Sequence, residues 1–169
     1  SSCHQYADNS EPGEMRATLY ARALDAYQGS YDARARIRGE SSSEALITLT
    51  NIGVVQWRTG NLDEGERLLR KAVWRYEKAG FSRSYPGYIR CWYQLANIKE
   101  ARGKMAEECG DFGAAMTFYD EARSAHETVY RIRVESSSAL SVDAKKSEES
   151  IQRCAMAIER IANIVGAIE

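Results

Sequence analysis

Histidine and proline are scarce in this chain of 169 residues, which holds two of each. With only His4 and His126, few groups can titrate near neutral pH, the range in which general acid-base chemistry works. The four cysteines, Cys3, Cys91, Cys109 and Cys154, form no C-x-x-C pair, and no metal-ligand spacing is present. Cys91 and Cys109 fall on one predicted helix, where about 1.5 Å per residue sets them roughly 27 Å apart, too far to bond to each other. The cysteines read as free buried thiols in a reducing compartment.

Other absences narrow the chemistry further. There is no G-x-S-x-G elbow and no glycine loop to cradle phosphate. His126, between Ala125 and Glu127, is predicted on a solvated helix surface, and the carboxylates spread along helix faces where i,i+4 pairing accounts for them. No catalytic residue, metal ligand or cofactor site is predicted, and the chain does not read as an enzyme. No apolar run approaches the roughly 18 residues of a membrane span, and no basic segment followed by an apolar one opens the sequence. A cytoplasmic location is expected, with a lipid anchor at Cys3, after Ser1 and Ser2, as the alternative.

Charge of one sign is also missing. The formal net charge is −1, which argues against a chain built to neutralise phosphates. Within that balance arginine dominates, 17 against 6 lysines. Two clusters, Arg34, Arg36, Arg38 and Arg67, Arg70, Lys71, Arg75, keep a nucleic-acid-binding helical repeat open as the alternative function.

What is present is helical periodicity. From Leu46 to Ala79, apolar or small residues at Leu46, Leu49, Ile52, Gly53, then Leu62, Gly65, Leu68, Leu69, Ala72, Val73 and Tyr76 follow three-and-four spacing. Gly60 and Asn61 interrupt it at the midpoint, so the stretch predicts a helix hairpin, with Gly60 closing the first helix and Asn61 capping the second. Ser43 is placed as the cap of the first helix. Residues 1–13 read as a polar tail. The predicted domain, 14–169, comprises a leading helix 14–38, with Gly29 a soft point or break, a hairpin 43–79, a longer hairpin 88–134 after a break at Pro86, and a closing helix 142–169.

The hairpin resembles a tetratricopeptide repeat, a pattern of about 34 residues. Leu49, Ile52 and Gly53 match its fourth, seventh and eighth positions, Gly60 its turn glycine, and Leu69 and Ala72 its twenty-fourth and twenty-seventh. Gln56, Gly65 and Glu77 depart from it. Trp92, Leu95 and Ala96 repeat the spacing of Leu49, Ile52 and Gly53, and Gly110-Asp111-Phe112 echoes Gly60-Asn61-Leu62 at a distance that adds one heptad to the helix. These long helices are similar in style to kinesin-light-chain and nephrocystin-like repeats. Arg36 to Ser43 also echoes Arg131 to Ser138, while Thr18 to Tyr27 aligns with Thr117 to His126 four residues out of phase.

The resemblance implies an all-α fold: a short right-handed α-solenoid of antiparallel helix hairpins, about six main helices, with a C-terminal capping helix. It implies a protein-protein interaction scaffold or adaptor, possible as a subunit of a larger assembly, that takes a peptide or partner helix in a concave groove. The groove-facing residues it implies are Ile47, Thr50, Asn51, Val54, Trp57 and Arg58, then Arg90, Tyr93, Gln94, Asn97 and Glu100. The carboxylate-clamp subtype, which grips acidic chaperone tails, needs lysine and asparagine where Thr50 and Val54 stand. A homo-oligomer through the terminal helices is a further expectation.

Overall fold

A computed structural model describes residues 13–137 and 141–167. Six α-helices make up the described chain: α1 (Gly13–Arg38), α2 (Ser43–Arg58), α3 (Leu62–Lys78), α4 (Pro86–Glu108), α5 (Phe112–Ser136) and α6 (Val142–Gly166), with no strand among the described residues. They fall into two compact units, one ending at Cys91 and one beginning at Trp92, with the boundary inside α4. None of the helices is long and apolar enough to cross a membrane among the described residues.

Helices α2, α3 and α4 end in the same way. Gly60, Gly80 and Gly110 take φ of 97°, 77° and 76°, a region that costs a side chain dearly. The next residue donates its N–H back to the carbonyl five residues earlier: Asn61 to Gln56 at 3.0 Å, Phe81 to Tyr76 at 3.0 Å, Asp111 to Ala106 at 2.9 Å. The helix starts differ from the sequence reading. Ser42, not Ser43, caps α2 by accepting from the Ala45 N–H, and Asn61 occupies the cap position of α3 but turns its amide to Gln56 Oε1 at 2.9 Å. Pro86 begins α4 instead of breaking the chain, because the first helical turn has no use for its missing N–H. Gly29 leaves α1 unbroken.

In the first unit the buried face comprises Leu46, Leu49, Ile52, Leu68, Leu69, Ala72 and Val73. Gly53 and Gly65 bring α2 and α3 into backbone contact: a Cβ on Gly65 would sit 2.6 Å from Trp57 Cβ and 2.9 Å from the Gly53 carbonyl oxygen. An aromatic cluster closes the base of the hairpin, with Tyr76 set edge-on to Phe81 at 5.1 Å and to Tyr88 at 6.4 Å between ring centres. Helix α1 contributes no fully buried residue and leaves Met15 and Leu19 exposed. It is held by Arg75, buried on α3, which donates to Tyr31 on α1 and to the Glu40 carboxylate that follows it.

In the second unit α5 and α6 pack through Ala115, Tyr119, Ala122, Cys154, Ala157 and Ile161. Gly103 on α4 meets the Tyr119 ring 16 residues later as Gly53 meets Leu69, at 3.0 Å from the position of a Cβ in both. Gly103 is therefore the counterpart of Gly53. Ala96, one heptad earlier and also buried, lies on the stretch by which α4, at 23 residues, exceeds α2, at 16.

Candidate functional site

The residues expected to line a groove divide by burial. On α2, Ile47 is 38 % exposed, Arg58 is exposed, and Asn51 and Trp57 are half-buried. Thr50 and Val54 belong to the core instead, because each extends the buried stripe of Leu46 by one four-residue step. The Thr50 hydroxyl donates to the Leu46 carbonyl at 2.8 Å and lies 3.2 Å from Cys91 Sγ. Arg58 places its guanidinium 5.7 Å from the centre of the Trp57 ring. On α4, Arg90 is exposed, Gln94 is buried, and Tyr93, Asn97 and Glu100 are half-buried. Asn97 donates to Gln94 Oε1 at 3.4 Å.

Tyr93 and Glu100 belong to a polar cluster in the second unit that the sequence reading did not foresee. His126, expected in solvent, is 0 % exposed. Its place on α5, four residues after buried Ala122, matches that of Tyr76, four after buried Ala72, so this depth of the helix is core. The ring sits edge-on to Tyr93 at 5.4 Å, and its Nε2 lies 3.6 Å from Glu100 Oε2. Neither ring nitrogen has a hydrogen-bond partner in the protein. Cys154, on α6, is buried beside them, and one ligand atom from each of Glu100, His126 and Cys154 lies within 4.8 Å of the other two.

The surrounding charges are unequal. Arg153 holds Glu100 with two N–H bonds, 3.0 and 3.2 Å, and reaches Ser150 Oγ at 2.9 Å. Burial works to raise the Glu100 carboxyl, but His126 and Arg153 together prevail and hold it below its ordinary range. Burial pushes the Cys154 thiol up to about 12, and the Glu100 charge adds to that. Three helices, α4, α5 and α6, thus bring a carboxylate, an imidazole and a thiol together where no local spacing announces them.

Two further expectations change. Cys91 and Cys154 are free and buried, but Cys109 is disulfide-bonded, so the thiols no longer argue for a reducing compartment. Cys3 lies outside the described residues. The arginine clusters are largely engaged: Arg67 grips Glu64 with two 2.7 Å bonds, Arg70 binds Glu66, Arg34 binds Thr48, Arg38 pairs with Glu44 and Arg75 is buried on Glu40. The four carboxylate pairs, of Arg38, Arg67, Arg70 and Arg75, are all made within the first unit.

No protein-family model and no curated protein matches the chain. Among solved structures it is similar to the crystal structure of a putative kinesin light chain of Podosopora anserina with nearly identical TPR-like repeats. The identity is 14%, covering 90% of this chain and 88% of that one, with a TM-score of 0.49. The resemblance of the α2–α3 hairpin to a tetratricopeptide repeat rests on its own turn, its glycine contact and its buried small residues.

Proposed function

We propose that the chain is a non-catalytic protein-interaction scaffold that takes a peptide or partner helix along α2. Of the residues the family resemblance implies, Ile47, Asn51, Trp57 and Arg58 carry the reading. Ile47, Asn51 and Arg58 follow one another at steps of four and seven, so they share one side of the helix. The single observation behind the proposal is Ile47: an apolar side chain more than a third exposed on a helix whose other aliphatic residues are buried or half-buried. Beside it stand an amide able to bond a peptide backbone and an arginine, a residue type enriched where interfaces concentrate their energy. On α4, Arg90, Tyr93, Asn97 and Glu100 are the second set in this proposal.

A random-peptide display selection against the purified chain tests it. Enriched peptides are expected to lose affinity about tenfold against Ile47→Ala, Asn51→Ala or Arg58→Ala, the range of an interface anchor of roughly 1.4 kcal/mol. Enriched peptides that bind all three variants unchanged overturn the assignment to α2. Self-association through the terminal helices has its own support in exposed Met15 and Leu19 on α1 and Met156 and Ile164 on α6. Sedimentation of the chain with and without Leu19→Glu and Met156→Glu decides it. Nucleic-acid binding has less support, because four of the arginines that favoured it, Arg38, Arg67, Arg70 and Arg75, face carboxylates.

A further inference from the structure

We propose that Glu100, His126 and Cys154 form a binding site for a divalent transition-metal ion of the zinc class. The proposal is independent of the scaffold reading. A carboxylate oxygen, an imidazole nitrogen and a sulfur are the donors that zinc(II) and cobalt(II) accept together, and three protein ligands with one further position is a common arrangement. Here the three come from α4, α5 and α6, so a bound ion ties three helices of the second unit.

The distances allow it. Three atoms mutually within 4.8 Å leave a point no farther than about 2.8 Å from each, and bonds of about 2.0–2.3 Å then need shifts of roughly half an ångström to 0.8 Å per ligand. Two independent facts point to a ligand and not to packing alone. His126 is wholly buried and neither ring nitrogen has a hydrogen-bond partner in the protein, a state that buried polar atoms rarely keep. Its Nε2 faces the Glu100 carboxylate at 3.6 Å, too long for a hydrogen bond but close enough for both atoms to bind one ion.

Arg153 is the competitor. Its guanidinium occupies both oxygens of Glu100 at 3.0 and 3.2 Å, but the side chain is half exposed and can turn outward. A carboxylate has lone pairs enough for Oε1 to keep one N–H while Oε2 turns to the metal. On binding, Cys154 releases its proton to solvent and bonds as thiolate, Glu100 stays ionised and His126 binds neutral. The site gains one negative charge, on Cys154, and with the Glu100 carboxylate sets two against the two positive charges of the ion.

Cobalt(II) is the probe, with zinc(II) as competitor, both titrated into the chelator-treated full chain. One cobalt per chain is expected, with a thiolate-to-cobalt charge-transfer band that zinc abolishes. Cys154→Ser should remove the band, and His126→Gln and Glu100→Gln should weaken binding at least tenfold, with circular dichroism reporting that each variant is folded. Arg153→Ala should tighten binding, an effect that damage to the fold does not mimic. No band at millimolar cobalt, or a band of full strength in folded Cys154→Ser, overturns the proposal. If Cys154→Ser does not fold, Glu100→Gln decides: unchanged affinity there is equally fatal.

Discussion

Arg133 Nη1 donates to Ser147 Oγ at 2.7 Å, and Arg34 Nη1 makes the same bond to Thr48 Oγ1, 99 residues earlier, at the same length. The equivalence extends on both sides. Each arginine also donates to a backbone carbonyl ten residues ahead, Asp143 and Glu44, and each following helix opens on a serine cap, Ser141 and Ser42. The α1–α2 and α5–α6 pairs are therefore copies of one unit whose lock is an arginine bonded to the second turn of the next helix.

The copies are not equally strong. Arg133 also covers the Tyr93 ring at 4.4 Å and is half-buried, whereas Arg34 is exposed. Removing Arg133 strands a buried Ser147 hydroxyl and uncovers a ring. Arg133→Ala is expected to lower stability by about 2–3 kcal/mol and Arg34→Ala by about 1 kcal/mol or less. Urea unfolding of both variants measures the difference, and equal losses would contradict it.

This duplication shows where the sequence was readable and where it was not. Six helices and the Gly60 and Gly110 turns were legible because a buried stripe and a left-handed glycine are local signals. The echo between Arg36–Ser43 and Arg131–Ser138 was misleading, since its offset of 95 residues disagrees with the 99 that the bonds obey. Identical letters recurred four residues away from equivalent positions. His126 was hidden because one helix turn does not reveal what covers it. Glu100 and Cys154 become its neighbours only once α4 and α6 pack on α5.

Glu107 and Arg160 repeat, one heptad along α4 and α6, the grip of Glu100 and Arg153. The N–H donors of Arg160 hold the Glu107 carboxyl below its ordinary 4.5, burial opposes them, and the Tyr119 hydroxyl and Lys104 assist. A carboxyl lowered on folding contributes stability that is present above pH 4.5 and lost as pH falls through its folded value. Glu107→Gln should cost stability at pH 7, by a few tenths to about 1 kcal/mol given how exposed Arg160 is. As pH falls below 4.5 the gap from the parent chain should narrow. A gap that is constant from pH 7 to pH 3 excludes this account.

Arg75 and Glu40 form an asymmetric pair, for the arginine side chain is 10 % exposed and the glutamate side chain 63 %. Breaking it from either side gives different results. Arg75→Met leaves a solvated carboxylate and replaces a buried charge with an apolar chain, at about 1 kcal/mol or less. Glu40→Ala leaves the buried guanidinium with the Tyr31 hydroxyl and a backbone carbonyl at 3.4 Å, at about 2–3 kcal/mol. Denaturant unfolding of the two single variants gives the order directly, and the reverse order would show that Arg75 is held by packing.

Three glycines test the close approach of the helices, because adding one methyl group should have a different outcome at each. Gly29 lies exposed in the middle of α1 with nothing within 4 Å of an added Cβ, so Gly29→Ala gains helix propensity and should stabilise by about 0.5–1 kcal/mol. At Gly103 the new carbon meets the Tyr119 ring at 3.0–3.1 Å; a ring can shift by a few tenths of an ångström, which roughly cancels the propensity gain. At Gly65 it meets the Trp57 backbone nitrogen at 2.8 Å and the Gly53 oxygen at 2.9 Å, and backbone cannot yield unless α2 and α3 separate. Gly65→Ala should therefore destabilise by about 1–3 kcal/mol despite its better propensity. Thermal unfolding of the three variants should rank Gly29→Ala above the parent chain, Gly103→Ala near it and Gly65→Ala below. A Gly65→Ala chain as stable as the parent would mean that the hairpin is not packed backbone to backbone.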